Sequence, residues 1–230
     1  MQPSAYTEAK YWYLRNHKLF WMLNNNQIKQ LCIITKFKEA KKGEVIYFSD
    51  SEEPKIYFLK KGNIKIAEVD ENGIEQTKEI IQQGDLFGEL GLDSSIKSNE
   101  FAQALTKEVA ICSFLMSDFE HLMEQNPNLA VSYTKFVGFK LKRLKNNYSN
   151  LISKDARTRL IYFLKDWAER EGKAEGNKVS LENYLTQNDI AQIICTSRQT
   201  ATQLLNDLEM EGIMNYTRKE ILIPDVSRLK

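Results

Sequence analysis

Long hydrophobic runs are missing from this 230-residue chain, and nothing in it approaches the roughly 18 apolar residues that a membrane-crossing helix needs. Proline and glycine are sparse, at 4 and 10 residues, which excludes collagen-like and low-complexity architectures. The three cysteines Cys32, Cys112 and Cys195 are odd in number, widely separated and never in a C-x-x-C pair, so neither a disulfide framework nor a zinc or iron–sulfur site is offered. Only two histidines occur, His17 and His121. There is no P-loop, no G-x-S-x-G, no H-E-x-x-H, no Cys-His pair and no paired carboxylate spacing, so the sequence reads as that of a non-enzyme. Met1 to Lys10 lacks the apolar core of a signal peptide, and the expected location is cytoplasmic, with no membrane partner.

What is present is 42% hydrophobic and 27% charged sequence, enough to bury one or two real cores. The formal net charge of +1 hides an asymmetry. Residues 1–128 hold 15 Lys and Arg against 19 Asp and Glu, and the remainder holds 17 against 12. A basic C-terminal part hints at a polyanionic partner.

From about Lys36 to Phe114, short apolar stretches alternate with turn signals. Val45 to Phe48, Ile56 to Leu59, Ile64 to Val69, Phe101 to Leu105 and Val109 to Phe114 read as strands. Gly43, Gly62, Gly73 and Gly84 lie in the reversals between them, so the region is expected to be an antiparallel sandwich or barrel. The segments before Lys36 look helical and aromatic, and Tyr11, Trp12, Tyr13, Phe20 and Trp21 are expected to pack on that barrel. After Asn126-Pro127 the period changes. Val137, Leu141, Leu144, Tyr148 and Leu151 recur at steps of four and three, flanked by Lys140, Lys142, Arg143 and Lys145. Such a stripe is either the buried face of an ordinary helix or a seam at which the helix pairs with its own copy; the narrow stripe and basic flank favour pairing.

From Ser153 the chain reads as a helix, a polar loop over Glu171 to Ser180, two short helices and a hairpin. Thr186 to Asp189 has the form of a capping box, Ser197 can cap the next helix, and Gly212 is placed to stop it. Ile213 to Tyr216 and Ile221 to Ile223 bracket a basic turn containing Arg218 and Lys219. Together these make the pattern of a winged helix-turn-helix. A helix that reads the major groove needs long polar side chains at its N-terminal end and an apolar opposite face. Arg198, Gln199, Thr202 and Gln203 are expected to point outward opposite Leu204, Leu205 and Leu208. Ser197, Thr200 and Thr186 are placed for phosphate contacts, with helix capping an equal and compatible reading for Thr186 and Ser197, and Arg218 and Lys219 for the DNA backbone.

Three segments carry a family resemblance. Gly84 to Leu92 resembles a G-D-x-x-G-E-L-G-L box, Asp155 to Leu160 resembles the opening of a DNA-binding domain, and Leu185 to Ile213 resembles a helix-turn-helix, all as found in the cyclic-AMP receptor protein and FNR (Crp/Fnr) family of transcription regulators. The resemblance implies an α+β chain with a cyclic-nucleotide-binding-like jelly roll at 1–126, a dimerisation helix at 127–152 and a winged helix-turn-helix at 153–230. It further implies a homodimer on double-stranded DNA, with RNA polymerase as a further partner. Arg198 matches the family's first base-reading arginine, whereas Gln199 stands where Glu is common and Gln203 where the cyclic-AMP receptor protein has Arg, so the preferred half-site is expected to differ.

In members that bind cyclic nucleotides, the Glu of the box holds the ribose, an Arg-Ser pair neutralises the phosphate, and Thr-Ser on the dimer helix receives the purine. Here Glu89 is present beside Gly88 and Leu90, but Ser98-Asn99 stand at the Arg-Ser positions, with Lys97 the nearest cation, and Leu144 and Lys145 stand at the Thr-Ser positions. A phosphate buried without its charge partner costs several kcal/mol, so cyclic AMP is not the expected effector and no cofactor is expected. A different small anionic effector, held by Lys145 or Lys140, stays open, as does a winged module that docks protein. The cysteines and histidines do not support the iron–sulfur or haem sensing of other members.

Overall fold

The computed structural model describes residues 5–34, 36–48, 54–88 and 100–229. The chain forms two compact units, Met1–Lys142 and Arg143–Lys230. In the first, two helices, α1 (Ala5–Asn16) and α2 (Asn25–Ile34), precede eight strands: β1 (Lys36–Lys41), β2 (Val45–Phe48), β3 (Lys55–Lys61), β4 (Ile64–Val69), β5 (Glu75–Ile81), β6 (Leu86–Gly88), β7 (Glu100–Ala104) and β8 (Glu108–Leu115). They pair antiparallel into two four-stranded sheets, ordered β1-β8-β3-β6 and β2-β7-β4-β5. This is the expected jelly roll.

The side-chain alternation of a strand explains why Ile56-Tyr57-Phe58-Leu59 is apolar throughout. Tyr57 and Leu59 point between the sheets and join Ile64, Ile66, Ile81, Phe87 and Ile111 in one core. Ile56 and Phe58 point the other way, into a second core with Leu86, Cys112, Phe114 and the helical residues Leu14, Phe20, Ile28 and Leu31. Both faces of β3 are therefore buried, and a polar residue at any of these four positions would face a dry layer.

The aromatic N-terminal region packs on the barrel only in part. Phe20 is fully buried and Tyr13 donates its hydroxyl to the Leu59 carbonyl at 2.9 Å, but Trp12 and Trp21 are 61% and 65% exposed, against expectation. His17 is buried, at 7% exposure. Its Nε2 lies 3.2 Å from the Gly84 carbonyl and its Nδ1 accepts from the Leu19 amide at 3.2 Å, an arrangement that suits the neutral ring. Burial, the main cause, holds its pKa below the ordinary imidazole value.

After α3 (Met116–Gln125) comes the long helix α4 (Pro127–Ser153), within which the two units meet in sequence. Its first turns belong to the barrel: Leu129 is buried, and Tyr133 and Phe136 pack on the helical core. The second unit continues with α5 (Ala156–Glu171), β9 (Lys173–Glu175), β10 (Lys178–Glu182), α6 (Gln187–Ile193), α7 (Arg198–Met210), β11 (Asn215–Tyr216) and β12 (Glu220–Ile223). Asp155 caps α5, accepting from the Thr158 amide at 2.7 Å, and Leu160, Ile161, Leu164 and Trp167 form the buried stripe of that helix. The polar loop expected over Glu171 to Ser180 is instead a hairpin, with Ser180 opposite Lys173, completing a sheet of order β11-β12-β10-β9. Only Val179 and Leu181 of β10 face the core, so its polar half masked the strand pattern.

The structure also relocates the basic surplus. Residues 154–230 carry 12 basic and 12 acidic side chains, whereas α4 carries five basic and no acidic ones. The C-terminal excess seen in the sequence therefore belongs to the long helix.

Candidate nucleic-acid interface

α6 starts at a reciprocal cap. The Thr186 hydroxyl accepts from the Asp189 amide at 3.1 Å, and the Asp189 carboxylate accepts from the Thr186 amide at 2.9 Å, so Asp does the work usual for Glu. Asp189 is only 4% exposed, which leaves Thr186 as a satisfied cap. After Ile193 the chain turns through Cys195, whose φ of +51° is in the left-handed region that non-glycine residues seldom occupy. The Thr196 amide donates back to the Ala191 carbonyl at 2.8 Å and closes the turn.

Ser197 then caps α7, accepting from the Thr200 amide at 3.1 Å with its hydroxyl 2.9 Å from that of Thr200. The buried face of α7 is Ala201, Leu205 and Leu208, with Leu204 only partly covered. Arg198, Gln199, Thr200 and Gln203 are exposed on the N-terminal half, and Gln203 donates to Asp207 at 2.8 Å, one turn along. Thr202 departs from the expected outward set. It is half-buried, with its hydroxyl 2.9 Å from Gln187 Oε1 and 2.8 Å from the Arg198 carbonyl, so it ties α7 to the start of α6. Thr202 lies one turn beyond Arg198 on the flank of α7 that Gln187 meets, whereas Gln199 and Gln203 lie one turn apart on the outer face. α7 ends at Met210 with Glu211 as its C-cap, and Gly212 follows at φ +65°.

The wing is a short hairpin whose turn, Thr217 to Lys219, presents Arg218 and Lys219 to solvent. Asn183 holds it from behind, donating its side-chain amide to the Thr217 carbonyl at 2.7 Å and its backbone amide to the Lys219 carbonyl at 2.9 Å. Sequence reasoning passed over Asn183, although a 7% exposed Asn just before a capping box has few other uses. The second unit thus brings together an outward Arg-Gln helix end, two capped helix starts and a basic turn. That set can donate to base edges and phosphates alike.

α4 presents the other expected surface. Val137, Leu141, Leu144, Tyr148 and Leu151 are 37%, 64%, 64%, 64% and 38% exposed, so the middle of the stripe stands largely open to water. Of the candidate effector residues, Glu89, Leu90, Ser98 and Asn99 lie outside the described residues. Gly88 ends β6 at φ +104°, and a Cβ there would sit 2.5 Å from the Lys55 carbonyl oxygen, so that position demands glycine for steric reasons. Leu144 and Lys145 are exposed on α4. Lys140 is engaged by its own barrel, donating to the Leu86 carbonyl at 3.1 Å and pairing with Glu79 at 3.3 Å.

Comparisons with known proteins agree with this geometry. The family model of the cyclic nucleotide-binding domain matches residues 37–126, and that of the Crp-like helix-turn-helix domain matches residues 158–230. A CRP-like cAMP-activated global transcriptional regulator of Mycobacterium tuberculosis is 27% identical over 188 residues, covering 82% of this chain and 84% of that protein. The global nitrogen regulator of a Nostoc species is 26% identical, covering 79% of this chain and 82% of its own. Among solved structures, a CooA mutant from Carboxydothermus hydrogenoformans is 25% identical with a TM-score of 0.70, covering 87% of this chain and 88% of that one. FixK2 of Bradyrhizobium japonicum shares the fold at 20% identity and a TM-score of 0.71, covering 85% of this chain and 96% of its own.

Proposed function

The chain is a member of the Crp/Fnr family of transcription regulators, and we propose that it works in the cytoplasm as a homodimer that binds a two-fold symmetric DNA operator without cyclic AMP. In this reading 1–126 is the sensor-derived barrel, 127–152 the dimerisation helix and 153–230 the DNA reader. One observation carries the DNA-binding part: the N-terminal end of α7 exposes Arg198, Gln199 and Gln203 while its other face is locked by Ala201, Leu205 and Leu208. Arg198 can fork onto guanine O6 and N7, Gln199 and Gln203 suit adenine, and the exposed hydroxyls of Ser197 and Thr200 suit phosphate, with Thr186 at the α6 start acting first as its cap. Arg218 and Lys219 add backbone contacts from the wing. A protein-docking version of this helix would expose apolar side chains at that end instead.

The homodimer rests on α4, whose uncovered stripe is apolar at seam spacing. Two-fold pairing would set the half-sites about one helical turn, ~34 Å, apart. Independence from cyclic AMP rests on residues rather than on relatives, which include both a cAMP-activated regulator and a nitrogen regulator. Ser98-Asn99 cannot neutralise a phosphate as Arg-Ser does, Lys140 is already paired with Glu79, and Leu144 offers a purine no polar partner. A second reading, an anionic effector other than a cyclic nucleotide, draws support from five cations and no acid on α4.

A salt series of duplex-binding titrations, with and without cyclic AMP, tests the proposal. Binding should fall log-linearly with salt, by about 0.9 log units per log unit for each phosphate neutralised, and should not change with the nucleotide. Salt-insensitive binding would point to protein docking, and binding that appears only with cyclic AMP would overturn effector independence.

A further inference from the structure

Arg159 lies in the first turn of α5, and its guanidinium reaches three backbone carbonyls from two other segments. Nε donates to the Ile194 carbonyl at 2.8 Å, one terminal nitrogen to Cys195 at 3.1 Å, and the other to Lys154 at 2.7 Å. The first two acceptors are carbonyls just past the end of α6. The neighbouring carbonyls of Ile190, Ala191 and Gln192 already accept from the Ile194, Thr196 and Cys195 amides. A helix C-terminus concentrates partial negative charge in such carbonyls, and a planar cation satisfies two of them at once. The turn needs holding, because Cys195 sits at φ +51°, a left-handed conformation that is strained for a non-glycine residue. The third acceptor, Lys154, lies at the exit of α4, whose final turn it closes through its amide to the Asn150 carbonyl at 3.0 Å.

We infer that Arg159 is the positioning residue of the DNA reader: it fixes the turn that aims α7, and it ties that turn to the junction where α4 passes into α5. The inference rests on the DNA-binding reading for its consequence, but the clamp itself is a property of the free chain. Lysine cannot replace it, since one ammonium lacks the planar fork that serves carbonyls on either side.

The test uses the full-length protein and its Arg159→Lys and Arg159→Gln variants, with hydrogen exchange measured segment by segment and binding measured to a duplex selected by the wild type. Amides of 194–197 should exchange at least about tenfold faster in both variants, while those of 160–168 stay protected, showing that the unit is still folded. Duplex affinity should fall about 10- to 100-fold with the salt slope unchanged, because no phosphate contact is lost. Unchanged exchange at 194–197 would overturn the clamp. A salt slope reduced by about one phosphate would also overturn it, by making Arg159 itself a backbone contact. Should the wild type bind no duplex at all, the regulator reading fails, and the exchange data still decide whether the clamp exists.

Discussion

The helices α4 and α7 each turn a row of side chains to solvent, and the two rows differ in kind. α4 shows solvent a stripe of Leu141, Leu144 and Tyr148, each 64% exposed, whereas α7 shows it Arg198, Gln199 and Gln203. Exposed singly, any of these residues would mean little. Aligned at helical spacing, each set specifies a partner surface of its own character. An apolar stripe is stabilised by removal from water against another such stripe, and the simplest complementary surface is its own copy. A polar, Arg-led end gains nothing from an apolar partner and matches the donor and acceptor pattern of a groove. The lesson is that exposure alone does not assign a function; the chemistry of the exposed row does.

The most damaging change to this comparison should be Leu144→Glu. It places a charge in the middle of the proposed seam, where burial without a partner costs about 3 kcal/mol or more per dimer. Sedimentation should then show single chains at micromolar concentration, and duplex binding should be lost. The thermal midpoint of the separate chain should hardly move, because Leu144 is exposed within one chain. A variant that stays dimeric would erase the distinction between the two helices.

Arg198→Ala comes next and tests the polar face. It should weaken the preferred duplex by about 1 to 3 kcal/mol and relax preference at a single base pair, read from competition among point-variant duplexes. Equal weakening on every sequence would reduce Arg198 to a phosphate contact. Thr186→Ala then separates capping from DNA contact. Losing the bond to the Asp189 amide should lower stability by about 1 kcal/mol in chemical denaturation. If duplex affinity falls no further than that loss explains, Thr186 is a cap alone.

The smallest expected effect gives the comparison its baseline, since it touches neither face. Burial lowers the pKa of His17 from its ordinary 6.5, so above that value the ring is neutral folded or unfolded, and its contribution to stability is complete. As pH falls below 6.5, the unfolded chain takes up a proton that the folded one resists, and stability declines until the folded pKa is passed. Thermal midpoints of the wild type should drop over that window, and those of His17→Gln should drop less. Equal drops would return the pH effect to the carboxylates.

Much of the architecture was legible because its signals are local. The strands announced themselves through apolar runs such as Ile56 to Leu59, and α6 and α7 through Thr186, Ser197 and Gly212, each of which occupies the capping or stopping position expected of it. What escaped depended on distant partners. His17 is buried because Gly84, 67 residues on, offers it a carbonyl. Trp12 and Trp21 stay exposed although their neighbours Tyr13 and Phe20 do not, a difference that aromatic content cannot encode. The β9–β10 hairpin was hidden by a half-polar strand, and the inward turn of Thr202 became visible only with Gln187 beside it. Arg159 gave no signal of its own because its three acceptors are all backbone atoms, which leave no mark in the sequence.

The most direct test of the central claim is selection of duplexes from a random pool by the purified full-length protein, with no small molecule added. A ligand-independent dimer reading DNA through α7 should enrich two inverted half-sites spaced about one helical turn apart, with guanine at one position that Arg198→Ala no longer selects. Recovery of single, asymmetric sites, or no enrichment until a metabolite is supplied, would contradict it.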